Sequence, residues 1–172
     1  MTTTQNSIEV YAEATPNPEA LKFVVNQQLF SNNPLDFRKP DDATQAPLAK
    51  ELFKFEFVDG VFLMNNFISV TKKEDYKWVE LIPQIRDFVR NYIEEGHTLV
   101  EPELMEQTQQ DETQQGGGDG DTDSASTIKQ ILEEHVKPAI EMDGGAIHFQ
   151  SFEEGVVKVV LKGSCSGCPS ST

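Results

Sequence analysis

Apolar and polar positions alternate from Ile8 onward. Ile8, Val10 and Ala12 stand against Glu9, Tyr11 and Glu13, the period-two pattern of a strand. Thr15-Pro16-Asn17-Pro18 is turn chemistry, because two prolines fix φ and remove backbone donors. Leu21-Lys22-Phe23-Val24-Val25 reads as the returning strand. Leu48, Leu52, Phe53 and Phe55 predict a short helix over 47–55, opened by Pro47. Val58-Asp59-Gly60-Val61 reads as a turn. Residues 61–70 then give one or two strands, broken at Asn65-Asn66. Trp78, Val79, Ile82, Ile85, Val89, Tyr92 and Ile93 recur at helical spacing up to Gly96, a candidate C-terminal cap. Pro83 should kink this helix or mark its true start.

A second periodic stretch begins near Ser126, where Thr127 and Gln130 fit a capping box. Ile128, Ile131, Leu132, His135, Val136, Ala139 and Ile140 form one helical stripe. Pro138 interrupts its last turn and Gly144-Gly145 ends it. Residues 146–152 and 156–161 read as strands joined at Glu153-Glu154-Gly155, a hairpin signal. After them comes Gly163-Ser164-Cys165-Ser166-Gly167-Cys168-Pro169. Pro169-Ser170-Ser171-Thr172 looks like the opening of a further helix, so a truncated unit is expected.

Composition separates the two stretches. Residues 98–125 contain no Lys, Arg or aromatic residue but carry Glu101, Glu103, Glu106, Asp111, Glu112, Asp119, Asp121 and Asp123. With a Gln-rich run and Gly116-Gly117-Gly118, this segment lacks the apolar surface to offset its ordering entropy. A flexible acidic linker is expected there, with an r.m.s. span of about 30 Å. The chain thus divides into an α+β domain at 7–97, a linker at 98–125 and a small unit at 126–172. The first is expected to be a mainly antiparallel sheet with two helices. The second is expected to be a helix plus a β-hairpin ending in a Cys-x-x-Cys loop. A unit this small usually needs a metal, a partner or more chain.

The whole chain carries 14 basic and 29 acidic side chains, a net charge of −15. That balance argues against nucleic acid and against an anionic membrane surface as partners. No stretch approaches the roughly 18 apolar residues of a membrane span. The two cysteines are too few for a disulfide-stapled secreted scaffold. The first seven residues contain neither a basic residue nor an apolar run, so a cytoplasmic protein with reduced thiols is expected.

Cys165 and Cys168 are the candidate ligands. Two thiols three residues apart on one loop can face one metal centre, and Gly163 and Gly167 let the backbone turn tightly around them. Two thiols cannot close a four-coordinate sulfur site, so two chains would share it. A redox pair and a purely structural pair remain the rival readings, although a thioredoxin-type pair would follow a strand in a βαβ unit. His135 is expected to be partly buried within its stripe, and His97 and His148 to be ordinary surface residues. Asp119-Gly120-Asp121-Thr122-Asp123 resembles the start of a calcium loop, but Ser124 stands where Gly is needed and Gln130 where Glu is needed. Phe23, Phe30, Phe53, Phe55, Phe57 and Phe62 are expected to be core. No signature of a catalytic triad, phosphate loop or carboxylate pair stands out, so the chain is not expected to be an enzyme.

Residues 126–172 resemble the C-terminal NifU-like domain of the Nfu iron–sulfur cluster scaffold and carrier family. The matching stretches are Val136-Lys137-Pro138, Met142-Asp143-Gly144-Gly145 and Leu161-Lys162-Gly163-Ser164-Cys165-Ser166-Gly167-Cys168-Pro169-Ser170-Ser171. Residues 9–96 are similar to the family's N-terminal domain through Ala14-Thr15-Pro16-Asn17-Pro18-Glu19-Ala20-Leu21-Lys22-Phe23 and Pro47-Leu48-Ala49-Lys50-Glu51-Leu52-Phe53. The resemblance implies a [4Fe–4S] cluster, or a [2Fe–2S] cluster, held between two copies by Cys165 and Cys168. It implies transfer to recipient apo iron–sulfur proteins and contact with upstream cluster-assembly proteins. A dithiol oxidoreductase and a zinc-binding interaction module are the alternatives.

Overall fold

The computed structural model describes residues 7–30, 34–104, 122–153 and 155–163. The fold is α+β. Five antiparallel strands form one sheet in the order β1-β2-β5-β4-β3: β1 Val10–Ala14, β2 Ala20–Val25, β3 Leu35–Phe37, β4 Val58–Met64 and β5 Phe67–Lys72. Helices α1 (Pro47–Leu52) and α2 (Trp78–Glu94) accompany this sheet. A second sheet is the hairpin of β6 (Gly145–Glu153) and β7 (Val156–Gly163). It follows helix α3 (Thr122–Ile131), a π-helical turn at Leu132–Val136 and helix α4 (Lys137–Met142).

Side-chain alternation sorts the large sheet into two buried faces. Leu21, Phe23, Val25, Val61, Leu63, Ile68 and Val70 share the main core with Leu48 and Leu52 of α1 and with Leu81, Ile85 and Val89 of α2. The intervening positions Val24, Phe62, Met64 and Phe67 form a second cluster, and Ala146 of the hairpin unit completes it. Phe62 is therefore core, as expected, but on the face turned to the hairpin. Phe23, Phe30 and Phe57 are buried, and Phe53 and Phe55 pack partly buried against the main core.

Several local expectations change. Val58-Asp59-Gly60-Val61 is not a turn but part of β4. Val58 pairs with Lys72 and Gly60 with Thr71, so two steps on one strand face one on the other, a β-bulge. Strand β3 went unpredicted, because three residues are too few to show a period. Pro83 neither starts nor ends α2 but lies inside it. Gly96 does end that helix. With φ of 73°, its N–H reaches Ile93 O at 3.0 Å and the His97 N–H reaches Tyr92 O at 3.4 Å, a Schellman motif. Helix α3 opens at Thr122 rather than near Ser126, which puts Thr127 and Gln130 inside it. Gln130 Nε2 donates to Glu134 Oε1 at 3.0 Å instead of closing a capping box.

The segment expected to be a linker over 98–125 is held at both of its described ends. Val100 is buried in the main core, Leu99 O accepts from the Leu48 N–H at 3.2 Å, and the Glu101 N–H donates to Gln45 O at 2.8 Å. Residues 98–104 thus pack on the first domain, and 122–125 belong to α3. Residues 105–121 lie outside the described residues.

Candidate metal centre

The hairpin unit is built around prolines and glycines. Pro138 has no N–H for the Glu134 carbonyl, and the helix relaxes there into a π turn in which the Lys137 N–H donates to Leu132 O, five residues back. Helix α4 ends at Gly144, whose φ of 79° lets its N–H close on Glu141 O at 3.1 Å. Strand β6 starts at once, and Gly145 pairs with Gly163 at the end of β7. The stretches around Met142-Asp143-Gly144-Gly145 and Leu161-Lys162-Gly163 therefore meet at one corner. Gly163, with φ of 75°, fits there because a side chain would strike Gly144 O at 2.8 Å, Gly145 Cα at 3.0 Å and the Phe62 ring at 3.0 Å.

The large sheet grips this corner. Lys22, 9% exposed, donates from Nζ to Glu141 O at 3.1 Å and Met142 O at 3.4 Å. The same ammonium lies 3.6 Å from Glu13 Oε2 and 4.5 Å from the centre of the Phe67 ring. Asp36 Oδ2 accepts the Gly163 N–H at 3.3 Å, and the Arg38 guanidinium donates to Gly163 O at 3.3 Å. Arg38 and Asp36 pair with each other at 3.2 Å. Lys22, Asp36 and Arg38 escaped the sequence reading. The available signal was the unbroken apolar run 61–64 together with 23–25, which marks a sheet covered on both faces.

Cys165 and Cys168 lie outside the described residues, as do residues 119–121 of the calcium-like stretch, which leads directly into α3. The structure places Gly163, two residues before Cys165. The histidines do not converge. His135 is exposed, contrary to its expected partial burial: Ile128, Leu132, Val136 and Ile140 keep a half-buried line through the π turn, and Ile131, His135 and Ala139 lie off it. His148 is half-buried on β6. His97 is exposed, 2.8 Å from Glu95 Oε2 and 4.9 Å from the Tyr92 ring. Among the described residues there is no group of three or more His, Cys, Asp or Glu placed to hold a metal. Among them also, no helix is long and apolar enough to cross a membrane.

A family model described as scaffold protein Nfu/NifU N terminal matches residues 10–96, and one described as NifU-like domain matches residues 128–172. The chain belongs to the Nfu/NifU scaffold family. The NifU-like match spans Cys165 and Cys168. Similar relatives include the human protein named NFU1 iron-sulfur cluster scaffold homolog, mitochondrial, 34% identical over 163 residues. The protein of the same name from Drosophila sechellia is 34% identical over 171 residues. These alignments take in 94% and 97% of this chain but only 61% and 57% of the relatives' own length. A solution NMR structure of a NifU-like protein from Saccharomyces cerevisiae superposes with a TM-score of 0.52 at 20% identity. It covers 59% of this chain and 92% of its own, and it shares the fold.

Proposed function

We propose that this member of the Nfu/NifU family is an iron–sulfur cluster scaffold and carrier, not an enzyme. Its cargo is a [4Fe–4S] cluster held between two copies by Cys165 and Cys168 of each. The observation that carries this reading is the Cys-x-x-Cys pair inside the NifU-like match, directly after the Gly145–Gly163 corner. Soft thiolates suit iron–sulfur cargo. Each chain supplies two of the four thiolates that such a cluster takes. A recipient can then replace them one iron–thiolate bond at a time, with no change in the cluster's electron count. Recipient apo iron–sulfur proteins and upstream cluster-assembly proteins are the partners in this reading.

Anaerobic reconstitution with iron and sulfide tests it. The expected product holds about four irons and four sulfides per pair of chains and sediments as a dimer, whereas the apo chain is a monomer. A chain that takes up zinc but no sulfide would support an interaction module instead. A chain that takes up neither but cycles between dithiol and disulfide would support an oxidoreductase. The relatives' names place them in mitochondria. We propose a cytosolic site of action for this chain, and detection in fractionated cells decides between the two compartments.

A further inference from the structure

We infer that Asp36 and Arg38, in the N-terminal domain, are positioning residues for the loop that carries Cys165 and Cys168. Strand β3 turns Leu35 and Phe37 into the main core, so alternation turns Asp36 to the opposite face. There the side chain is 15% exposed and accepts the Gly163 N–H at 3.3 Å. Arg38, one residue beyond the strand, takes the Gly163 carbonyl at 3.3 Å. Both polar groups of a single residue are thus held by an acid and a base that also hold each other. Gly163 is the last described residue before the cysteines, and its φ of 75° sets the direction in which the chain leaves β7.

The two side chains do not act alone. Phe62 and Phe67 stack at 5.9 Å between ring centres beneath Ala146, and Lys22 caps the carbonyl end of α4 on the same face. The corner residues Gly144, Gly145, Ala146 and Gly163 are buried, whereas the hairpin beyond them is not. Val156, Val157, Val159 and Val160 of β7 are all exposed, with Val156 at 59%. The N-terminal domain therefore supplies the packing that fixes the loop's point of departure. A loop that leaves from a fixed point presents its thiolates in fewer arrangements, so less ordering entropy opposes their closing on a cluster. This role rests on the proposed function, and its consequence is slower cluster loss.

The test uses the full chain, the Asp36→Ala/Arg38→Ala double variant and Asp36→Asn, which keeps an oxygen acceptor. In the apo protein, amide exchange at Gly163 is expected to quicken about tenfold in the double variant, while Phe23 and Val70 stay protected. After reconstitution, the half-life of the cluster against an iron chelator is expected to fall about threefold to tenfold, with Asp36→Asn lying between the double variant and the parent. Should the double variant misfold, Arg38→Ala alone, at a side chain 44% exposed, removes of the two Gly163 bonds only that to the carbonyl and is expected to give the same two changes in smaller degree. Unchanged Gly163 exchange in a folded variant overturns the grip. Faster exchange with an unchanged cluster half-life overturns the positioning role. A parent chain that takes up no cluster defeats the proposed function and this role together. That result is recognised because Gly163 exchange still responds to the substitutions.

Discussion

Lys22 donates to the main-chain oxygen of Glu141 at 3.1 Å, joining residues 119 positions apart in the chain. The ammonium sits at the carbonyl end of α4, where it adds a second donor to Glu141 O beside the Gly144 N–H, reaches Met142 O, and matches the negative end of the helix dipole. Its stem lies on the apolar face beside Phe67, which keeps the charge buried yet partnered.

Lys22→Met should therefore separate the two halves of the molecule energetically. Methionine keeps the stem's packing and removes a buried charge, so the five-stranded sheet should lose little or nothing. The contact with α4 should weaken by about 1.5–3 kcal/mol, the usual range for hydrogen bonds to a charged group. Urea unfolding followed by Trp78 fluorescence should keep its midpoint, while the Gly144 and Ala146 amides exchange faster. A lowered Trp78 midpoint with unchanged exchange at Gly144 would show that Lys22 serves the first domain alone.

Two glycines with the same backbone conformation make a controlled pair. Gly155 and Gly163 have φ of 81° and 75°, but only Gly163 is crowded, with Gly144 O at 2.8 Å from the position of an added Cβ. Gly155→Ala should cost only the left-handed penalty, about 1 kcal/mol. Gly163→Ala adds a clash with backbone atoms that cannot swing away, for a total of about 3 kcal/mol. Thermal unfolding of the hairpin unit, followed by far-ultraviolet circular dichroism, measures both. Equal losses would mean that the corner is looser than its contacts imply.

Local chemistry made much of this fold legible. Gly96, Gly144 and Pro138 announce their helix caps and the helix defect through φ and the missing N–H, which no neighbour can change. Long-range pairing was not legible. Asp59-Gly60 satisfies turn rules as well as it satisfies a bulge, and only the Val58–Lys72 and Gly60–Thr71 register decides. Lys22 lies between Leu21 and Phe23, where period-two alternation assigns a lysine to solvent. It is buried because a second unit covers that face. At the candidate centre, the thiol spacing was plain in the sequence. The grip on Gly163 comes from residues more than 120 positions away and leaves no local pattern.

Val100 shows how far the first domain extends. It lies in the acidic stretch but is 5% exposed within the main core. Val100→Ala should cost about 2 kcal/mol, from two buried methyl groups and the space they leave. The loss should appear in the Trp78 unfolding curve of the full chain. A change of less than about 0.5 kcal/mol would mean that the segment rests on the domain without supporting it.

Tyr92 ties the same segment to α2 by donating its hydroxyl to Thr98 O at 3.1 Å. Burial raises its pKa above the usual value near 10, and the negative charge of Glu51 adds to the rise. Below about pH 10 both folded and unfolded phenols keep their protons, and the group adds no pH dependence. Above that, the unfolded phenol ionises first, so stability falls as pH rises toward the folded value. The stability advantage of the parent over Tyr92→Phe should therefore shrink as pH rises above about 10. Parallel curves for the two proteins across that range would refute the assignment.

Cys165→Ser and Cys168→Ser test the shared-cargo reading at its stoichiometric centre. A shared site turns each single substitution into a double loss, because both copies lose a thiolate and only two of four remain. A serine hydroxyl is a harder donor and stays protonated near neutral pH, so it does not replace a soft thiolate on iron. Each variant should therefore lose most of its iron and sulfide and remain a monomer under reconstitution conditions. The same argument predicts no effect on the first domain, whose main core is built without any residue beyond Leu104. Trp78 unfolding should thus be unchanged within about 0.5 kcal/mol, which separates loss of the site from loss of the fold. A variant that keeps near-normal iron and sulfide would remove that cysteine from the site. A variant that loses cargo yet still forms the dimer would show that the two copies meet through protein surfaces and not through the cluster.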